Sequence, residues 1–324
     1  MAKFTKTFSQ LNRKSVAEAG GKGAQLGEMT MVKMPVPPGF VVLSGTFERF
    51  LEETDLDVEI DALLKKVKLN DINSVDRVSN TIRDLIHDFI IPEDIQKEIL
   101  AAFDKLKTKY VAVRSSATAE DSSVASWAGE LETYLFITRK NLAEAVRKCW
   151  SSLFTPRAIF YRFEKKLHKT KVSVGVVVQS MVNSEISGVA FTAHPVTNDR
   201  DQMVIEAGYG QGEAIVSGQI TPDTYIIDKK EKTILDINIS EQKEMIVQAG
   251  TSGVKKVKVP KIMQEKQKLT GKQIIQLAGI CEKIEKHYRH PQDIEWALEK
   301  NKIYITQSRP ITTLKYNGGS KKQK

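Results

Sequence analysis

The stretch DIEWALEKNKIYITQSRP, residues 293–310, combines side chains that could bind a metal ion and a phosphate. Its alternation predicts two strands around a tight turn, with Asp293 and Glu295 on one face of the first strand and Gln307 and Arg309 on one face of the second. Mg²⁺ bound to nucleotide phosphates would take oxygens from Glu295 and Gln307, which leaves Arg309 for a phosphoryl oxygen. From alternation alone, a surface ladder of cross-strand polar pairs is the alternative.

A second candidate is the glycine-rich stretch GGKGAQLGEM, residues 20–29, which places Lys22 at a predicted helix start. Free backbone N–H groups and the helix dipole attract anions there, and a lysine can reach the same phosphate. The spacing matches neither a Walker loop nor a dinucleotide fingerprint. The alternative is an ordinary glycine-capped helix.

A third candidate is VRSSATAEDSSVASWAGELETYL, residues 113–135, in which Arg114 comes near the end of a predicted strand. Small side chains in the following loop would let backbone N–H groups approach a polyphosphate. The small residues are Ser122, Ser123, Ala125, Ser126 and Gly129. The alternative is a serine-rich surface loop, which explains the composition but neither the flanking strands nor the arginine.

Hydrophobic periodicity predicts the elements that would position these residues. The predicted helices cover 15–33, several segments within 46–107, 140–152, 155–167 and 270–289. The predicted strands are a short one that 34–44 leads into, 110–116, 131–137, 172–182, 186–195, short strands between the glycines of 203–228, and the closing pair. These elements predict a first lobe over 1–185 with 46–107 as a helical insertion, a second lobe over 186–314 that carries the closing strands, and a disordered basic tail over 315–324.

Composition narrows the function classes. The 324 residues are 41% hydrophobic and 27% charged, and no apolar run is long enough to span a bilayer. The start MAKFTKTFSQLN lacks the apolar core of a secretory signal, and the two cysteines, Cys149 and Cys281, do not form a disulfide framework. We therefore expect no membrane span and a reducing, cytoplasmic setting.

The net charge of +9 would suit a polyanion. Much of the excess lies in 255–272 and in the tail SKKQK, where no aromatic residues are interleaved, so nucleic-acid binding has little support. We interpret 255–272 as a solvated loop, with a partner-docking face as the alternative. None of the five histidines forms a metal-spaced cluster, and only His194 lies close to a glycine-rich segment.

Six segments together resemble the N-terminal nucleotide-binding domain of phosphoenolpyruvate synthase and pyruvate phosphate dikinase, which also occurs in rifampin phosphotransferase. They are GGKGAQLGEM, VPPGFVV, VRSSATAEDSSVASWAG, GVAFTAHPVT, GQGEAIVSGQITPDTY and the DIEWAL and IYITQSRP pair. The resemblance runs from about residue 4 to residue 314. It implies an α/β (α+β) chain with a two-lobed ATP-grasp fold, mixed or antiparallel sheets, and Mg-ATP clamped between the lobes.

The resemblance also implies roles for individual residues. Lys22 and Arg114 would contact the phosphates, with Arg309 stabilising the charge that develops during phosphoryl transfer. Glu295 and Gln307 would hold Mg²⁺, supported by Asp293. The remaining nucleotide contacts would be Gly129 to Thr133 in a closing loop, Gln179 near the adenine or hinge, and Glu206 to Gly212 in the nucleotide wall.

Family members pass the β-phosphoryl group of ATP to a histidine on a mobile domain and release AMP. No segment like that histidine domain, and none like the pyruvate-binding barrel, follows SRPITTL in this sequence. The resemblance therefore implies a phosphotransferase that needs histidine and pyruvate-binding domains in trans. Two alternatives remain open: a rifampin phosphotransferase-like module, and a module that binds ATP without transferring a phosphoryl group.

Overall fold

The computed structural model describes residues 3–118, 132–165, 173–312 and 314, and these form two compact units. The first unit comprises Met1–Val182 and Gln248–Lys255, and the second comprises Asn183–Val247 and Lys256–Lys324. The chain enters the second unit slightly before the predicted boundary at 185/186. The reason is that Glu185 already bonds to this unit, through its N–H to the carbonyl of Leu298 and its carbonyl to the N–H of Gly210.

The helices in the described part of the chain are α1 Val16–Met31, α2 Ser44–Glu53, α3 Leu56–Leu64, α4 Ile72–Asp88, α5 Glu93–Leu106, α6 Leu142–Ser151, α7 Pro156–Glu164, α8 Glu213–Val216, α9 Lys261–Gln264 and α10 Gly271–Tyr288. None of these helices combines the length and apolarity that crossing a bilayer requires. The segment 46–107 is helical as predicted, since apolar residues recur at helical spacing in α4, where Val75, Val78, Ile82 and Ile86 are buried.

The strands are β1 Thr5–Thr7, β2 Gly39–Val42, β3 Val111–Ala117, β4 Thr133–Ile137, β5 Val174–Ser180, β6 Ile186–Phe191, β7 Gln202–Tyr209, β8 Asp223–Asp228, β9 Thr233–Asn238, β10 Glu244–Gln248, β11 Val254–Lys258, β12 Gln292–Glu299 and β13 Lys302–Pro310. The first unit holds a five-stranded sheet of order β1-β2-β5-β3-β4, and the second holds a six-stranded sheet of order β13-β12-β6-β7-β8-β9. Every pairing within these two sheets is antiparallel, which confirms the predicted α/β class with antiparallel sheets.

The core of the first unit lies between one face of its sheet and the helices. Alternate residues of β5, Val174, Val176 and Val178, pack with residues of α2, α4 and α6 in one buried cluster. Trp150 of α6 is fully buried there and stacks on Phe47 and Phe50. The opposite face of the sheet is therefore left to α1 and to polar side chains.

In the second unit, α10 covers one face of the sheet. Thr270 begins this helix with a capping box, in which its hydroxyl accepts from the N–H of Gln273 and the Gln273 side chain accepts from the N–H of Thr270. The helix buries Ile274, Leu277 and Cys281 and contacts β7, β9 and β12. Residues on the other face of the sheet are free of this helix.

The interpretation of 255–272 as a solvated loop is wrong. The stretch contains most of β11 and all of α9, and Lys268 within it is buried. Its ammonium lies 2.7 Å from a carboxylate oxygen of Asp223, and both side chains are fully buried. Asp223 also accepts hydrogen bonds from the N–H of Ser240, the N–H of Lys268 and the hydroxyl of Tyr225. The basic composition of the stretch was misleading because one of its lysines forms a buried ion pair.

Candidate functional site

Three of four adjacent strands in the second unit's sheet place polar side chains on one face. In the register, Glu206 of β7 is opposite Val189 of β6, Val189 is opposite Glu295 of β12, and Glu295 is opposite Gln307 of β13. Residues paired across antiparallel strands point to the same side of a sheet. The carboxylates of Glu206 and Glu295 and the amide of Gln307 therefore share one face.

The neighbouring row of the same face pairs Asp293 with Arg309, a pairing that alternation alone did not predict. Two guanidinium nitrogens of Arg309, Nε and Nη2, donate to Oδ2 of Asp293 at 2.8 Å and 2.7 Å. One carboxylate oxygen thus holds the guanidinium in place beside Glu295 and Gln307. A bulge between Glu295 and Trp296 ends this regular pairing.

The electrostatics of this face favour a bound cation. Burial raises the pKa of Asp293, and Glu295 raises it further, while Arg309 opposes both effects. Burial and the charge of Asp293 also raise the pKa of Glu206. Three carboxylates therefore share a partly buried face with one guanidinium, and a divalent cation would compensate the excess negative charge.

Glu295 and Gln307 offer oxygen ligands, which Mg²⁺ accepts. Among the described residues, no group of three His, Cys, Asp or Glu side chains is arranged to hold a metal ion. A site of one carboxylate and one amide, Glu295 and Gln307, suits an ion that retains water and takes further oxygens from substrate phosphates.

In the first unit, a break in α1 positions Lys22. Gly20 has a φ of +70° inside the helix, so the regular helix restarts just before Lys22. A Cβ at Gly20 would lie 2.1 Å from the carbonyl oxygen of Ser116 on β3. The hydroxyl of Ser116 donates to the carbonyl of Ala19 and accepts from the N–H of Gly23, which ties both sides of the break to the strand.

Arg114, Thr133 and Gln179 share the face of the first unit's sheet that α1 partly covers. Arg114 of β3 is opposite both Thr133 of β4 and Val177 of β5, and Gln179 follows two residues after Val177. Gln179 is buried, and its amide nitrogen donates to the carbonyl of Pro37 at 3.4 Å. The first unit thus brings Arg114 and Thr133 together, with Gln179 on the same face.

The strand end next to Arg114 is anchored by Glu132. Its carboxylate accepts from Arg83 of α4 at 3.0 Å and from the hydroxyl of Tyr134, and its carbonyl accepts from the N–H of Ser115. Burial and the neighbouring Glu132 both raise the pKa of Tyr134. Ser122, Ser123, Ala125, Ser126 and Gly129, which were predicted to approach the phosphates, lie outside the described residues.

Cys149 and His194 carry side chains of chemically reactive types, but each has a structural role in the fold. Burial raises the pKa of the Cys149 thiol to about 12, although the charge of Lys22 partly opposes this, so the thiol is a poor nucleophile. Nδ1 of His194 accepts from the N–H groups of Val196 and Thr197, which makes this histidine part of a turn.

The sequence reasoning missed Ser116, which holds the break in α1, and Arg83, which anchors Glu132. Ser116 stands in the RSS of the quoted motif, and strand alternation could have placed it on the face of Arg114. Arg83 comes from the helical segment and carried no signal, because its partner is 49 residues away in sequence.

Comparison with known proteins identifies the family. The model of the pyruvate phosphate dikinase AMP/ATP-binding domain matches residues 16–324. The chain belongs to this family. Curated relatives include a probable phosphoenolpyruvate synthase of Archaeoglobus fulgidus, 47% identical over 95% of this chain and 41% of that protein, and one of Methanocaldococcus jannaschii, 46% identical over 99% of this chain and 28% of that protein.

The relatives also include the rifampicin phosphotransferase of Bacillus subtilis, 37% identical over 97% of this chain and 36% of that protein. This member of the pyruvate phosphate dikinase AMP/ATP-binding domain family therefore spans less than half the length of these relatives. Among solved structures, the D-Alanine-D-Alanine Ligase from Helicobacter pylori is 13% identical over 73% of this chain and 53% of that chain, with a TM-score of 0.29, which does not define the fold.

Proposed function

We propose that this chain is the Mg-ATP-binding phosphotransferase domain of a phosphoenolpyruvate synthase-type enzyme, with the ATP-grasp fold. It passes the β-phosphoryl group of ATP to a histidine on another domain or partner and releases AMP. The overall reaction converts pyruvate, ATP and water to phosphoenolpyruvate, AMP and phosphate. The observation that carries the proposal is the register that places Glu295 beside Gln307 and Asp293 beside Arg309 in a chain of an AMP/ATP-binding family.

In this proposal each unit has a separate task. Lys22 and Arg114 bind phosphate oxygens, with Thr133 and Gly129 contributing to the closing loop and Gln179 contacting the adenine side. Glu295 and Gln307 hold the metal, and bound Mg²⁺ supplies charge compensation for the phosphates. Arg309, held by Asp293, stabilises the negative charge that develops on the transferred group.

The rest of the reaction requires further domains. The chain covers 28% and 41% of the length of the two probable phosphoenolpyruvate synthases cited above, which leaves room in those proteins for histidine and pyruvate-binding domains. We propose that equivalent domains act with this chain in the cytoplasm. Calorimetry on the chain alone should therefore show Mg²⁺-dependent ATP binding without turnover.

Rifampicin phosphorylation is the second candidate, because a rifampicin phosphotransferase also matches nearly the whole chain. Its lower identity, 37% against 47% for the Archaeoglobus fulgidus relative, favours the first candidate. Binding of ATP without transfer is disfavoured by Arg309, since a guanidinium beside the metal ligands contributes most to a transition state.

The test combines this chain with the remaining part of the Archaeoglobus fulgidus relative and ATP labelled at the β-phosphorus. We expect acid-labile label on the added protein and release of AMP, and pyruvate should then remove the label. Arg309→Ala should abolish labelling, whereas Lys302→Ala, at the exposed end of the same strand, should not. ADP as the product, or label transfer to rifampicin in preference to pyruvate, would contradict the proposal.

A further inference from the structure

A cavity lies in the helical part of the first unit, and none of the residues proposed above to bind ATP lines it. Its volume is about 770 Å³, which is ample for a small organic molecule. Its walls come mainly from α2, α3 and α7 and are largely apolar. The apolar side chains include Phe47, Leu51, Ile60, Leu64, Phe154 and Ile159.

A buried arginine lines this cavity. Arg162 of α7 is only 7% exposed, and its guanidinium has no hydrogen-bond or ion-pair partner in the part of the chain that the structure describes. Burial lowers the pKa of Arg162, and the negative charge of Asp61 only partly opposes this. No nitrogen of Arg162 is among the fully enclosed side-chain atoms of the described residues that lack a hydrogen-bond partner, so the guanidinium reaches the accessible space of the cavity, where an anion that enters from solvent can pair with it.

The charges around the cavity limit which anion fits. Four acidic side chains line it, Glu48, Glu52, Asp57 and Asp61, against Lys65 as the other cation. A dianionic phosphate would be repelled by this rim. A single carboxylate carries less charge and matches the planar fork of a guanidinium with two parallel hydrogen bonds.

We propose that this cavity binds a small molecule with an apolar body and one carboxylate group, and that the carboxylate pairs with Arg162. The apolar body lies against the phenylalanine, leucine and isoleucine side chains of the wall. The acidic rim selects against phosphorylated compounds and against ligands with several negative charges. This site is independent of the ATP-binding function proposed above.

The test is a calorimetric titration of the full chain with decanoate, with decanol and decyl phosphate as comparators. We expect saturable binding of decanoate and weaker binding of the two comparators. Arg162→Met should weaken decanoate binding about tenfold to a hundredfold and make decanoate no better than decanol. Arg157→Met, on the exposed side of the same helix, is the matched control and should bind decanoate normally.

Two further measurements separate a lost ligand site from a lost fold. The midpoint of thermal unfolding should stay the same or rise in Arg162→Met, because the substitution removes a buried charge that has no partner within the described residues. Leu51→Trp, which fills the cavity and keeps Arg162, should also prevent decanoate binding. No saturable binding to the native chain, or equal decanoate affinity in Arg162→Met, would overturn the proposal.

Discussion

In the second unit the candidate site side chains occupy two neighbouring rows of one sheet, whereas in the first unit Lys22 depends on a break in a helix. The rows Glu295–Gln307 and Asp293–Arg309 follow from strand register alone. Lys22 is placed by the left-handed backbone of Gly20 and by the hydroxyl of Ser116, from a strand far away in sequence. The comparison teaches that the proposed metal ligands are positioned by the register of one strand pair and its bulge, whereas Lys22, a proposed phosphate ligand, is positioned by a close tertiary contact.

The largest effect on the free energy of unfolding is expected for the buried ion pair between Lys268 and Asp223 in the second unit. Lys268→Met would leave Asp223 buried without its cation and should lower the free energy of unfolding by about 3–5 kcal/mol. Lys230→Met, which breaks an exposed pair with Asp201, is the control and should cost far less, because water and salt screen that pair. Urea unfolding measures both values, and equal costs would show that the buried pair does not hold the sheet.

The next effect tests the helix break in the first unit. Gly20→Ala should lower the free energy of unfolding by about 3 kcal/mol, because the backbone is strained and the Cβ overlaps the carbonyl of Ser116. Gly279→Ala, in the interior of α10 with no atom near the new Cβ, should raise it by about 0.5–1 kcal/mol. If Gly20→Ala had the same free energy of unfolding as the native chain, the helix break would not depend on the close contact between Gly20 and Ser116.

The smallest effect concerns pH and the carboxylates of the second unit. Burial and Asp293 raise the pKa of Glu206, so the folded state favours its neutral form and loses stability as pH rises through that raised pKa. Glu206→Gln should therefore raise the free energy of unfolding at neutral pH and leave it unchanged below the ordinary carboxyl pKa. Glu59→Gln, exposed on α3, is the control. A gain that is equal at all pH values would contradict the pKa direction.

The same contrast explains how much the sequence could predict. A tight turn and a period of two predict that Asp293 and Glu295 share a face, but the bulge between Glu295 and Trp296, which sets Asp293 opposite Arg309, was not predicted. The short helices α8 and α9 and the strands β1, β9, β10 and β11 were missed, because their stretches carry weak periodicity. The burial of Lys268 was unpredictable, since its partner Asp223 is 45 residues away.

The role of Gln179 came from the resemblance alone, whereas the glycine-rich stretch and the predicted strand had already made Lys22 and Arg114 candidates for phosphate contact. The family was confirmed, and the structure places Arg114 and Gln179 on one face of the first sheet. The α/β class could also be predicted from the sequence, because long amphipathic helices and buried valine-rich strands give strong hydrophobic patterns.

The central claim is that the first unit binds phosphates and the second binds the metal. The most direct test is calorimetric titration of ATP into the native chain, Lys22→Met and Glu295→Gln, each with and without Mg²⁺. We predict that Lys22→Met weakens ATP binding about tenfold in both conditions, whereas Glu295→Gln weakens it about tenfold only when Mg²⁺ is present. Equal losses for both variants in both conditions, or an unchanged Mg²⁺ effect in Glu295→Gln, would contradict the claim.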